Sequence, residues 1–99
     1  MNKGELVDAI AKKASEKGVS VNKKTVDEVL SATLEVIIDT VASDEKVTLV
    51  GFGSFEARDR KAREGRNPKT GEKMEIPATK VPAFSAGKSF KEQVSPPSD

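Results

Sequence analysis

The chain has 99 residues, of which 35% are hydrophobic, and its formal net charge is +1. This length allows one domain, and this composition allows only a small core. The absence of cysteine and histidine excludes disulfides and cysteine- or histidine-ligated zinc sites. Since no acid pair stands in a recognisable motif either, the usual acid–base and nucleophile roles of an enzyme lack candidates. We therefore expect no catalytic residue, cofactor or small-molecule substrate. We expect an obligate homodimer, because a self-complementary interface would bury the surface that a small core cannot.

The small net charge conceals an uneven distribution along the chain. Residues 1–45 contain six lysines and nine acidic residues, whereas residues 46–91 contain eleven basic and five acidic residues. An acidic first half and a basic second half predict one charged working surface. No apolar run approaches the roughly 18 residues of a membrane span, and no signal-peptide pattern opens the chain. We expect a cytoplasmic protein with no membrane partner.

The chain begins with a pattern typical of a helix. Asn2 and Glu5 have the spacing of an N-cap and its acidic partner, and apolar residues then recur at helical spacing as far as Ala14. Gly18 can end a helix. This pattern predicts a first helix over about residues 3–16.

A second, longer helix is predicted after Asn22, which is a good N-cap. Its apolar side chains form one stripe from Val26 to Val41, and such a stripe usually faces a core. Residues 43–45 break the helical pattern. The two helices with their short connection predict a helical hairpin.

The second half predicts an antiparallel sheet. Lys46–Val50 is rich in β-branched residues and predicts a first strand, and Ser54–Lys61 predicts a second. The glycines of Gly51–Gly53 favour a hairpin turn between them over a phosphate-binding loop, because no helix start follows. Arg58 and Arg60 share one face of the second strand, since side chains alternate.

A third strand is predicted over Lys73–Val81, with Pro77 marking an edge or a bulge and Pro82 ending the strand. Ser85 is predicted to cap a short last helix over Ala86–Val94. The proline-rich tail that follows is predicted to be disordered.

The stretch from Arg58 to Lys73 joins the second and third strands and is the most distinctive part of the chain. It holds seven basic and three acidic residues, with Ala62 as its single aliphatic one, and the turn residues Gly65–Gly71 lie near its centre. A hairpin without a core-facing side must project into solvent or lie on a negatively charged partner. The phosphate backbone of a nucleic acid is the obvious partner.

Several motifs, in this order and spacing, resemble the HU/IHF family of bacterial histone-like DNA-bending proteins, and its HU members more than its IHF members. The resemblance covers about residues 1–94. The motifs are Met1–Asp8, Leu49–Phe55, the arm tip Gly65–Gly71 and Val81–Lys88.

The resemblance implies an α+β fold and an intertwined homodimer. Residues 1–45 would form a helical dimerisation region, and residues 46–94 a DNA-binding saddle with a long β-arm over about residues 58–77. Residues 95–99 would be a disordered tail, and the whole would be one structural domain. The connection from Ala14 to Asn22 and the tail are longer than is usual in the family, which leaves their roles open.

The resemblance also implies the contacts with double-stranded DNA. The matching proline of the family, Pro68 here, wedges between base pairs in the minor groove, whereas the residues alone would also allow a rigid turn. Asn67 could reach a base edge or shape the turn. Ser85 and Ala86 would offer N–H groups to a phosphate at a helix start. The implied DNA-binding residues are Lys3, Arg58, Arg60, Lys61, Arg63, Arg66, Asn67, Pro68, Lys69, Lys73, Lys80, Ser85, Lys88 and Lys91.

Together these features predict a nucleoid-associated protein without sequence specificity that bends and condenses DNA and prefers flexible or distorted duplexes. The alternatives are a sequence-directed bender of the IHF kind, a scaffold whose basic arm binds an acidic protein, and, with little support, a small metabolic enzyme. Four phenylalanines without tyrosine or tryptophan argue against single-strand stacking as the main binding mode, and RNA binding stays open.

Overall fold

The computed structural model describes residues 1–96, and over them the chain is α+β as predicted. It forms two compact units, Met1–Asp39 and a second that begins at Thr40. None of the helices in residues 1–96 is long and apolar enough to cross a bilayer. The elements are α1 (Lys3–Glu16), α2 (Lys23–Ala42), β1 (Val47–Leu49), β2 (Gly53–Arg60), β3 (Arg63–Arg66), β4 (Lys73–Ile76), β5 (Thr79–Ala86) and α3 (Lys88–Val94).

Both long helices begin where the sequence predicts. The Asn2 side-chain oxygen accepts a hydrogen bond of 2.9 Å from the Glu5 N–H, and the Asn22 side chain accepts one of 2.8 Å from the Thr25 N–H. Each cap satisfies an N–H that the helix leaves unpaired, which is worth about 1 kcal/mol. Gly18 follows α1 with a φ of +84°, a conformation that favours glycine, so the predicted stop is confirmed.

The apolar stripe of α2 is only partly covered within one chain. Val26 and Val41 are buried, but Val29 remains 61% exposed and Ile38 65% exposed. In the first unit, part of the stripe lines an open apolar groove of about 320 Å³. The stripe therefore presents a large unpartnered hydrophobic surface, which monomeric proteins rarely leave exposed.

A three-stranded antiparallel sheet has the order β1-β2-β5. The β1–β2 turn is closed by the Phe52 N–H, which donates to the Leu49 carbonyl at 3.0 Å, and Gly51 has a φ of +83°. A Cβ atom on Gly53 would lie 2.5 Å from the Ser85 carbonyl oxygen, so only glycine fits. The predicted hairpin turn is confirmed.

The second unit contains a cluster of four phenylalanines that one chain leaves partly exposed. Phe52, Phe55, Phe84 and Phe90 form a cluster in which the ring centroids of contacting pairs lie 4.8–6.5 Å apart. Phe55 and Phe84 pair across β2 and β5, and Phe90 brings α3 onto the sheet. Such aromatic contacts contribute beyond the area they bury, so the contacts of Phe90 with Phe52 and Phe84 hold α3 on the sheet.

The predictions for the last strand and last helix are wrong in detail. The predicted third strand is two strands, β4 and β5, and Pro82 lies inside β5 instead of ending it. β5 tolerates this proline because it is an edge strand of the sheet, where a missing N–H need not break a ladder. Ser85 also belongs to β5, and α3 begins at Lys88 with Gly87 as its N-cap. Residues 97–99 of the predicted tail lie outside the described residues.

Candidate nucleic-acid interface

β3 and β4 form a separate two-stranded antiparallel arm. The pairing of β2 with β5 ends at Arg60 and Thr79, and the arm pairing begins at Arg63 and Ile76, so two residues on each side interrupt the ladder. Pro77 is one of them, so it lies in an interruption between two strands and not, as predicted, at an edge or a bulge of one strand. The seven basic residues of the predicted arm therefore occupy β2, the break, β3, the tip and the start of β4.

The tip of the arm is organised around Asn67. Its N–H donates to the Glu72 carbonyl at 2.9 Å, and its carbonyl accepts from the Gly71 N–H at 2.8 Å. Its side-chain oxygen accepts from the Lys69 N–H at 2.9 Å. Asn67 therefore shapes the turn, one of the two roles left open for it. Pro68, held between Asn67 and Lys69, is exposed at the apex.

The two faces of the arm differ in chemistry. Arg66 and Lys73 pair directly across the strands at the tip end, so their charged side chains share one face. On the opposite face, Ile76 packs against Gly65, where an added Cβ atom would lie 3.0 Å from the Ile76 side chain. The arm thus has one face of charged side chains, and an opposite face on which Met74 and Ile76 lie beside Arg63.

Arg58 is held on the sheet by two side chains. Its Nε donates to a Glu56 carboxylate oxygen at 3.1 Å, and its Nη2 donates to the Ser85 hydroxyl at 2.9 Å. Ser85 orients Arg58 from β5 and does not cap a helix, so its predicted cap role is wrong, whereas its predicted DNA contact stays a prediction. Sequence reasoning did not select Glu56, although a glutamate two residues before an arginine on a strand signals a same-face pair.

Lys80 makes an ion pair with Asp44, a residue in the turn after α2 whose φ is +66°. The hydrogen bond to the Asp44 carboxylate and its negative charge raise the pKa of Lys80, with a smaller contribution from the charge of Asp59. Lys80 is thus charged, solvent-accessible and already engaged by an anion.

Lys3 is engaged in a similar way within the first unit. Its ammonium donates to the Ser31 hydroxyl at 2.5 Å and lies 3.4 Å from an Asp27 carboxylate oxygen. In α3, the Lys88 side chain is 90% exposed and lies 3.9 Å from a Glu92 oxygen. The other predicted basic residues are also exposed. They are Arg60, Lys61, Arg63, Lys69 and Lys91.

Comparison with known proteins identifies relatives along the whole chain. Residues 1–95 match a family model described as bacterial DNA-binding protein. A DNA-binding protein HU from Nostoc sp. is 72% identical over 97 residues, which are 98% of each chain. A DNA-binding protein HU 1 from Bacillus subtilis is 48% identical over 94 residues, which are 95% of this chain and 97% of that one.

Solved structures agree with these relatives. An Anabaena HU–DNA cocrystal structure has a TM-score of 0.89 and 72% identity, covering 98% of this chain and all of that one. This chain therefore shares its fold with the HU protein of that structure.

Proposed function

We propose that this chain, which belongs to the bacterial DNA-binding protein family of HU and IHF, is an architectural protein of the nucleoid that binds, bends and condenses double-stranded DNA. The observation that carries this proposal is the β3–β4 arm, with an exposed proline at its apex and cationic side chains along its length. The likeness to a HU structure solved with DNA supports it. The protein would act by binding, without catalysis.

The arm supplies the bending. Minor-groove bending proteins, HU and IHF among them, insert apolar wedges between base pairs, and the unstacking costs a few kcal/mol per step. Pro68 is the proposed wedge, since Asn67 fixes the turn beneath it through three hydrogen bonds. Arg66, Lys69 and Lys73 would bind phosphates on either side of the groove.

The sheet and helices would supply further phosphate contacts. Ser85 would orient Arg58 before DNA arrives, which lowers the entropy lost on binding, whereas the ion pair of Arg58 with Glu56 would have to be exchanged for a phosphate. Arg60, Lys61, Arg63, Lys88 and Lys91 are exposed for the same role. Lys3 and Lys80 would exchange a carboxylate for a phosphate, so their net contribution is smaller.

The unpartnered stripe of α2 supports a homodimer. A second copy of the chain would cover the exposed valine, leucine and isoleucine side chains and give the assembly two arms. We assign residues 1–45 to dimerisation and residues 46–94 to the DNA-binding saddle and arm. The functional location would be the nucleoid, inside the cytoplasm.

The arms would select DNA by its deformability. The minor groove distinguishes base pairs poorly, and nicked, gapped or kinked duplexes are cheaper to bend. The relatives named HU favour this selection over the sequence-directed recognition of the IHF kind.

The first test is the Pro68→Ala variant against intact, nicked and gapped duplexes of one sequence. Wild type should bind the nicked and gapped duplexes more tightly, with affinity falling steeply as salt rises. Pro68→Ala should bind each duplex within about tenfold of wild type but bend it much less, because the wedge alone is lost. Fluorescence transfer between the duplex ends measures the bend.

Pro96→Ala, a proline outside the arm, is the matched control and should behave as wild type. Equal, weak binding to all duplexes with no effect of Pro68→Ala would contradict the wedge. Binding to a poly-acidic peptide but to no duplex would favour the scaffold alternative.

A further inference from the structure

The charged face of the arm also carries two glutamates. Glu64 pairs directly with Glu75 across the ladder, and the next rung of the same face, toward the tip, pairs Arg66 with Lys73. Residues on one face of a strand recur about every 7 Å. A doubly negative rung therefore lies about 7 Å from a doubly positive one.

Neither glutamate is neutralised by a partner in the described part of the chain. Glu64 and Glu75 are both exposed, and the ion pairs of residues 1–96 involve other acids. Like charges directly opposite each other weaken a β-ladder. The Glu64–Glu75 rung thus weakens the ladder, and the opposite charges on that face, Arg66 and Lys73, lie at diagonal positions on the next rung.

We propose that Glu64 and Glu75 form an acidic rung that confines phosphate binding to the tip of the arm and limits affinity for DNA. The inference rests on the proposed function. A phosphate held by Arg66 or Lys73 would lie within about one Debye length of the glutamates, roughly 8 Å at physiological salt, so their repulsion is only partly screened. The repulsion acts on the phosphate backbone of the DNA, which intact and distorted duplexes share, and therefore weakens binding to both.

The test is the double variant Glu64→Gln/Glu75→Gln, compared with Glu16→Gln/Glu28→Gln. The control removes the same two charges per chain from exposed positions on α1 and α2. At about 50 mM salt, the arm variant should bind a duplex roughly tenfold more tightly than wild type, and the control less than about twofold, because charge effects fall off with distance. The gain should shrink toward none near 0.5 M salt, where the Debye length is about 4 Å.

The two single variants separate phosphate repulsion from a looser arm. If each glutamate repels DNA independently, each single variant gains about threefold and the two gains multiply to that of the double variant. If mutual repulsion merely loosens the arm, either single variant gives the full gain, and the proposal is overturned. A double variant that binds no more tightly than the control also overturns it.

These outcomes are distinct from failure of the proposed function. Wild type that binds no duplex removes both proposals. If wild type binds DNA with a steep salt dependence but the arm variant binds no more tightly, only the proposal of the acidic rung is contradicted.

Discussion

Lys80 is paired with a carboxylate in the free protein, and the proposed function would have it bind a DNA phosphate instead. In the free protein its ammonium is held by Asp44, and the carboxylate raises its pKa. A DNA phosphate offers the same chemistry to the same ammonium. Under the proposed function, the Asp44 carboxylate would therefore compete with DNA for this lysine.

We predict that Asp44→Asn strengthens binding to duplex DNA about two- to fivefold at neutral pH, because an exposed ion pair is worth little but must be exchanged before Lys80 binds a phosphate. Asparagine tolerates the positive φ of residue 44, so the turn should be kept. The matched control is Asp8→Asn, which breaks the ion pair with Lys23 in the first unit. It should leave the affinity for DNA within about twofold of wild type, because charge effects at exposed sites are small. An equal gain from both variants would indicate a general charge effect.

The same ion pair affects stability in alkaline solution. A lysine whose pKa is raised by folding contributes stability at pH values below its ordinary pKa, near 10.5, and loses it as the pH rises through the folded value. Wild type should therefore lose more stability than Asp44→Asn above about pH 10.5. Urea unfolding followed by circular dichroism at several pH values would measure this difference.

At the scale of elements, the sheet depends on a close approach of β2 and β5 at Gly53. We predict that Gly53→Ala lowers the free energy of unfolding by about 2–3 kcal/mol, since the added methyl would overpack against the Ser85 carbonyl and the Phe84 ring, both within 2.6 Å. The aromatic cluster would then have to shift.

Gly4→Ala is the control for this substitution. Its methyl would lie 3.5 Å from the Asn2 side chain, an ordinary contact, within α1. It should stabilise the protein by up to about 1 kcal/mol, because alanine is the better helix former. Urea unfolding at one protein concentration would compare the two variants, and an equal change in their free energies of unfolding would contradict the packing argument.

Elements set by local signals were predictable, and elements set by distant pairing were not. Asn2, Asn22 and Gly51 act on residues within a few positions, so their caps and turn could be identified from the sequence. Pro82 and Ser85 carry local signals for a strand end and a helix cap. Pairing with residues of β2 more than twenty positions earlier overrides those signals.

The candidate site shows the same division. The basic arm and its tip could be found from composition and turn residues, because they depend on a contiguous stretch. The contacts that engage Arg58 and Lys80 join different strands and turns, through Ser85 and Asp44, so no local pattern indicates them. The pairing of Glu64 with Glu75 likewise follows only from the register of the arm.

At the scale of the whole molecule, the small buried core is the controlling fact. Only Val7, Val26 and Val41 are buried hydrophobic residues among the 96 described. Hydrophobic burial is the main favourable term in folding, and three such residues cannot offset the conformational entropy of this many residues. A second copy would bury the stripe of α2, so association and folding should be one process.

We therefore predict that Leu34→Glu, a charge placed in the middle of that stripe, prevents both association and stable folding. Leu34 is 46% exposed in one chain, and burying an unpaired carboxylate at the dimer interface would cost several kcal/mol. Wild type should sediment as a dimer, with a Tm that rises with protein concentration, whereas the variant should be largely unfolded at micromolar concentration.

Ala32→Glu places the same charge on the exposed, opposite side of α2 and should leave both properties unchanged. A wild-type Tm independent of concentration would contradict coupled folding, because a folded monomer would then suffice.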